Sequence, residues 1–183
     1  MFDTHQILPM TQKKHYNSLM SDNYPIQIPL LSALLSLAIY TIGACILSGF
    51  GLIAVLFYIL FCLWAEYHVL LKSCRYCYYY GKLCGLGKGR IVPLFFKKGD
   101  PSIFLGRKIS WKDLIPDMLI FLIPLLGGIV YLFMHFNFLT LALMILLAIL
   151  ALPGTGFMRS CLLCPNCKQR GLGCPAQELF GKK

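Results

Sequence analysis

The sequence predicts an all-α integral membrane protein: four transmembrane helices as two parallel-repeat helical hairpins, with a cytoplasmic cysteine-rich loop and C-terminal tail. Three observations carry this expectation. The 183-residue chain is 58% hydrophobic, above the roughly 45–50% of soluble domains. No Asp, Glu, Lys or Arg occurs from Asn23 to Ala65, nor from Met118 to Met158. Each of these windows is about twice the roughly 20 residues that a bilayer-crossing helix needs. Each also carries a turn signal near its middle, Ser48-Gly49-Phe50-Gly51 in one and His135-Phe136-Asn137 in the other.

The charges then orient the spans. Two of the 17 Lys and Arg lie in the N-terminal tail, ten between Lys72 and Lys112, and five from Arg159 onward. Four spans put these three segments on one face, and the positive-inside rule makes that face cytoplasmic. Residues 1–25 are polar and lack the apolar run of a cleaved signal peptide, so both termini are expected in the cytoplasm of an inner or plasma membrane protein. Trp64, Tyr67 and Trp111 fall where an aromatic belt is expected. The net charge of +10 then points to the lipid bilayer and its anionic headgroups, and no nucleic-acid partner is needed to account for it.

In chain order, residues 1–25 form the N-terminal tail, with His5, His15 and Lys13-Lys14 solvated or at the membrane surface. Residues 26–71 form the first hairpin, with spans near 26–47 and 52–70. Pro29 is tolerated in a first helical turn. Ser32, Ala33, Ser36 and Gly43 are small enough to admit a close neighbour. The second span ends in Trp64-Ala65-Glu66-Tyr67-His68. An acid at that depth is costly without a partner, so Glu66 should meet the basic loop or a metal site.

Residues 72–112 form a basic loop, 113–158 the second hairpin with spans near 114–134 and 138–157, and 159–183 the C-terminal tail. The loop is long enough to suggest function. Its Gly85-Leu86-Gly87-Lys88-Gly89-Arg90 stretch could offer amides to a phosphate, but it lacks Walker spacing; flexible backbone around a metal module explains it equally. Pro93-Leu94-Phe95-Phe96-Lys97-Lys98 reads as interfacial, and Gly99-Asp100-Pro101 as a turn. Asp113 and Asp117 complement a helix N-terminus. Pro124 and Gly127-Gly128 should kink the third span or let a neighbour approach. Span four is expected to end at Pro153-Gly154-Thr155-Gly156.

The chain writes one cysteine pattern twice, C-x2-C-x3-G-x2-C, at Cys74, Cys77 and Cys84 and again at Cys164, Cys167 and Cys174. Cys161 adds a fourth thiol to the second copy only. On a cytoplasmic face disulfides are rare, so these cysteines point to metal or redox chemistry. A C-x2-C pair offers two thiolates to one soft cation, usually zinc or an iron–sulfur cluster. The glycine between the pair and the third cysteine allows a sharp turn. His68, six residues before Cys74, is a candidate fourth ligand for the first copy. Cys74, Cys77, Cys164 and Cys167 could instead make one shared site, with the halves related by an axis along the membrane normal. The C-x2-C-x2-C-x6-C spacing from Cys161 to Cys174, with Pro175 following, resembles the start of a bacterial ferredoxin run and departs from it in the last gap. Cys164-Pro165-Asn166-Cys167 equally resembles a zinc knuckle.

The functional expectation is therefore one or two cysteine-ligated metal centres at the cytoplasmic face. Iron–sulfur is favoured narrowly over zinc because Cys161 makes a four-thiolate run. Basic residues around the cysteines favour thiolates. That chemistry suits electron transfer in or beside a membrane redox complex, or in a self-associated assembly. The alternatives are a zinc-stapled structural or assembly subunit, a soft-metal carrier with Cys45 and Cys62 as stations in the bilayer, and a thiol oxidoreductase. No Ser–His–Asp set, paired carboxylates or Walker motif points to a hydrolase or nucleotide enzyme.

Overall fold

The computed structural model describes residues 23–105 and 111–173. Helix α1 spans Gln27–Leu47 and α2 Leu52–Lys72. The loop contains two short helices, α3 (Val92–Phe95) and α4 (Pro101–Leu105). The second half begins with α5 (Trp111–Met134) and α6 (Phe138–Ile149). The α6 rod runs on through α7 (Thr155–Phe157), and α8 (Lys168–Gly173) follows the second cysteine pair. No strand occurs among the described residues. Among the described residues, four helical rods are long and apolar enough to cross a membrane.

Each expected turn forms for an identifiable reason. Gly51 closes the first hairpin at φ 99°, a conformation that an L side chain resists. Asn137 caps α6, its side-chain oxygen accepting from the Leu139 amide at 3.0 Å, a preferred N-cap arrangement. Helices α1 and α5 pack most extensively on each other; α2 packs mainly on α1, and α6 on α5 and α1. The glycines mark the close crossings. A Cβ on Gly43 would lie 2.4 Å from the Tyr58 hydroxyl, and one on Gly128 would lie 2.6 Å from the Met144 sulfur. The core runs through Ile39, Ile46, Tyr58, Cys62, Ala65, Ile120, Met144 and Leu147. Leu56, Phe57, Leu60 and Leu63 of α2 stay exposed, as a lipid-facing flank requires.

The fourth rod does not stop at Pro153. It widens into π-helical turns at Leu150–Gly154 and Met158–Leu163 and continues to the second cysteine pair. Proline has no amide and crowds the carbonyl four residues back. Widening moves the pairing to the fifth residue, so that the Thr155 amide reaches the Leu150 carbonyl. Gly154 lets the Ile149 carbonyl come close, and the Thr155 hydroxyl donates to the Ala151 carbonyl. In a bilayer such local readjustment preserves the helix.

Candidate functional site: two docked cysteine modules

The first module begins where α2 ends. A tight turn at Cys74–Tyr76 brings the Cys77 amide to the Cys74 carbonyl at 3.3 Å. Gly81 takes φ 77° and donates to the Gly89 carbonyl at 2.9 Å, so this glycine makes the sharp return that the pattern implied. The glycine-rich stretch then wraps the third thiol. The Gly87 amide donates to the Cys84 carbonyl at 2.9 Å, and the Gly89 amide donates to the Cys84 sulfur at 3.2 Å. Gly89 cannot carry a side chain: a Cβ would lie 2.3 Å from the Tyr79 carbonyl oxygen. Two amides of this stretch therefore serve Cys84.

Glu66 finds its partner in the basic loop. Lys88 Nζ lies 2.5 Å from one carboxylate oxygen, and the Tyr40 hydroxyl donates to the other at 2.5 Å. The carboxylate thus ties α1, α2 and the loop together at one end of the bundle. Lys88, Cys77, Cys84 and Glu66 all lie within electrostatic reach of Cys74. His68 stacks on Trp64, one helical turn back, with ring centroids 5.4 Å apart.

The second module follows the π-widened rod. The Cys164 amide reaches the Arg159 carbonyl at 2.9 Å, a turn carries the chain to Cys167, and the Arg170 amide returns to the Cys167 carbonyl at 3.0 Å. Cys161 and Cys164 are exposed and Cys167 is half-buried. Cys174 lies outside the described residues, as does the N-terminal tail through residue 22.

The two modules are docked on each other. Gln169 Oε1 accepts from the Tyr78 amide at 2.8 Å and from the Cys77 thiol at 3.8 Å. The Lys168 amide donates to the Tyr79 hydroxyl at 3.1 Å. Tyr79, Gln169 and Tyr24 are all buried. Tyr24, just before α1, packs on the Tyr79 ring with centroids 5.6 Å apart and donates to the Leu163 carbonyl at 2.7 Å. Burial pushes the Tyr24 phenol up, and the neighbouring Cys167 adds to the rise; the group stays protonated and keeps its donor. Burial also raises Tyr79, against the Lys168 amide, which favours the ionised form.

Sequence patterns alone missed Tyr24, Tyr78, Tyr79 and Gln169. Tyr24 looked like the end of a polar tail, and a clasp made by backbone amides leaves no spacing to detect. The triplet Tyr78-Tyr79-Tyr80 was the available signal, because three aromatics in a basic loop must cover something.

Chemically, the site offers soft thiol donors and an N–H···S bond, both suited to a soft cation. The eight described cysteines all carry free thiols. Among the described residues, no three His, Cys, Asp or Glu side chains are gathered closely enough to hold a metal ion. Cys45 is exposed on α1 and Cys62 is buried in the core. The fold and site together define a class, a four-helix protein fit to span a membrane with two cysteine modules clasped at one end. No protein-family model, curated protein or solved structure matches the chain.

Proposed function

We propose that this protein crosses an inner or plasma membrane with its cysteine modules in the cytoplasm, and that the clasped modules bind one or two cysteine-ligated metal centres. Iron–sulfur is preferred to zinc, and electron transfer in or beside a membrane complex is the proposed role. The observation that carries the proposal is the clasp. Gln169 accepts from both the Cys77 thiol and the Tyr78 amide, and Cys167 lies beside Tyr24, whose ring packs on Tyr79. Thiols ninety residues apart in sequence are therefore neighbours around one buried tyrosine.

The Gly89 amide that donates to the Cys84 sulfur is the kind of outer contact that orients a metal-binding thiol. Among the described residues no three-donor set is closed, so the proposed centre completes itself on loading. Coupling of this kind is usual, because ligands must lose protons and gather as the metal enters. The first helices of the two halves pack on each other, an arrangement compatible with the proposed parallel repeat. Cytoplasmic placement is supported by the grouping of Lys and Arg at the module end.

Anaerobic purification, with visible absorption and analysis for iron, sulfide and zinc, tests the proposal. A brown protein with iron and sulfide supports the cluster. Colourless protein with stoichiometric zinc selects the zinc staple instead. A chain that binds neither after reconstitution with both would overturn metal binding altogether.

A further inference from the structure

The loop presents a second surface that the cysteines do not use. From Tyr67 to Gly99 the chain holds seven Lys and Arg and no acid. Within this basic stretch lies a short apolar ridge. Val92 is fully buried and sets the orientation of α3, while Leu94 is 79% exposed and Phe95 66%. Ile91 is exposed as well, and Arg90, Lys97 and Lys98 flank the ridge with exposed side chains. Apolar groups so open to water are unfavourable outside a membrane unless something covers them.

The location of the ridge identifies the cover. Phe96 packs on Tyr67 with ring centroids 5.3 Å apart. Tyr67 is half exposed near the module end of α2, on the helix that carries the exposed Phe57, Leu60 and Leu63. The ridge is thus continuous with a lipid-facing flank. Its backbone is also tied to the first module: the Tyr80 hydroxyl donates to the Phe96 carbonyl at 2.8 Å, and Arg75 Nε donates to the Lys97 carbonyl at 3.0 Å. Gly99 completes the tie, its amide donating to the Arg75 carbonyl at 3.2 Å.

We propose that residues 91–98 are a membrane-surface anchor seated in the anionic headgroup layer of the bilayer that the four helices cross. Apolar side chains enter the acyl boundary and the flanking basic groups meet lipid phosphates, a division of labour that suits this composition. The inference rests on the membrane-spanning reading and not on metal binding.

Single-tryptophan forms of the full chain, reconstituted in vesicles containing brominated lipid, test it. L94W in a W64F/W111F background reports the anchor, and W111F, which retains Trp64, reports the spanning bundle. The anchor predicts blue-shifted L94W emission, stronger quenching by shallow than by deep bromines, and stronger quenching in phosphatidylglycerol than in phosphatidylcholine bilayers. Adding K97E/K98E should abolish the preference for the anionic bilayer, and its persistence would overturn the electrostatic half. Water-like emission from L94W, quenched by acrylamide alone while Trp64 responds to bromolipid, overturns the anchor and leaves the spans intact. Emission shielded from both quenchers and dependent on protein-to-lipid ratio assigns the ridge to a second copy of the chain, and overturns the anchor too. If Trp64 is also insensitive to bromolipid, the membrane reading itself fails.

Discussion

Pro124 removes one amide from the interior of α5, and Tyr58 supplies a donor in its place. The Ile120 carbonyl, four residues before the proline, accepts the Tyr58 hydroxyl at 2.8 Å. In an apolar bundle an orphaned carbonyl is costly, so this pair binds α2 to α5 through a defect in the helix ladder. Y58F should lower stability by about 0.6 kcal/mol, up to roughly 1.7, the range found for interhelical hydrogen bonds in membranes. In a P124A background the helix offers its own donor, and the same change should cost less. A double-mutant cycle in thermal unfolding checks this, and equal costs in both backgrounds would refute it. Gly89 makes a second residue-scale prediction. G89A forces a Cβ against the Tyr79 carbonyl and should destabilise by roughly 1–3 kcal/mol, as overpacking does. Alkylation of Cys84 should quicken, because the loop that wraps its sulfur must shift.

At the scale of elements, two ties hold the cysteine loop to the bundle. The first is Glu66 with Lys88 and Tyr40. Side chains of the ion pair are about a quarter exposed, 23% for Lys88 and 28% for Glu66, which reduces their net worth. Removing one partner still strands the other at the membrane edge. K88M alone should therefore destabilise by about 1–3 kcal/mol, and E66Q/K88M should recover part of that loss in thermal unfolding. The second tie is Gln169. Q169A should speed alkylation of Cys77 by releasing the Tyr78 strand of the clasp, with little change in helix content by circular dichroism. An unchanged alkylation rate would show that the clasp does not shield the thiol.

The same scale shows what a sequence can and cannot disclose. The four spans were legible because a charge-free window of bilayer length leaves few other structures. The turns at Gly51 and Asn137 were legible from residue chemistry. The end of the fourth rod was misread. Pro153-Gly154-Thr155-Gly156 looks like a stop, but π-widening and the Thr155 back-bond carry the helix through it. The cysteine pattern disclosed the turn that Gly81 makes. It could not disclose the clasp, because Tyr24 and Gln169 act through hydrogen bonds to groups far away in sequence.

For the whole molecule, the two hairpins place one kind of chemistry at one end. The Tyr78 amide donates to Gln169 and the Lys168 amide donates to the Tyr79 hydroxyl, which brings module to module across the chain. A membrane-impermeant maleimide should reach the exposed Cys161 and Cys164 in inside-out vesicles and not in right-side-out cells. Labelling of Cys161 or Cys164 in intact cells carrying a C45S form would reverse the proposed orientation.

In the proposed metal-bound state, this end of the bundle closes on the metal through sulfur. X-ray absorption at the metal edge of the anaerobically purified, full-length protein tests that most directly. A first shell of sulfur at about 2.3 Å is expected, as in thiolate sites, and should be lost in a C77S/C167S variant that retains its helix content. A first shell of nitrogen and oxygen, or an unchanged sulfur shell in that variant, would contradict it.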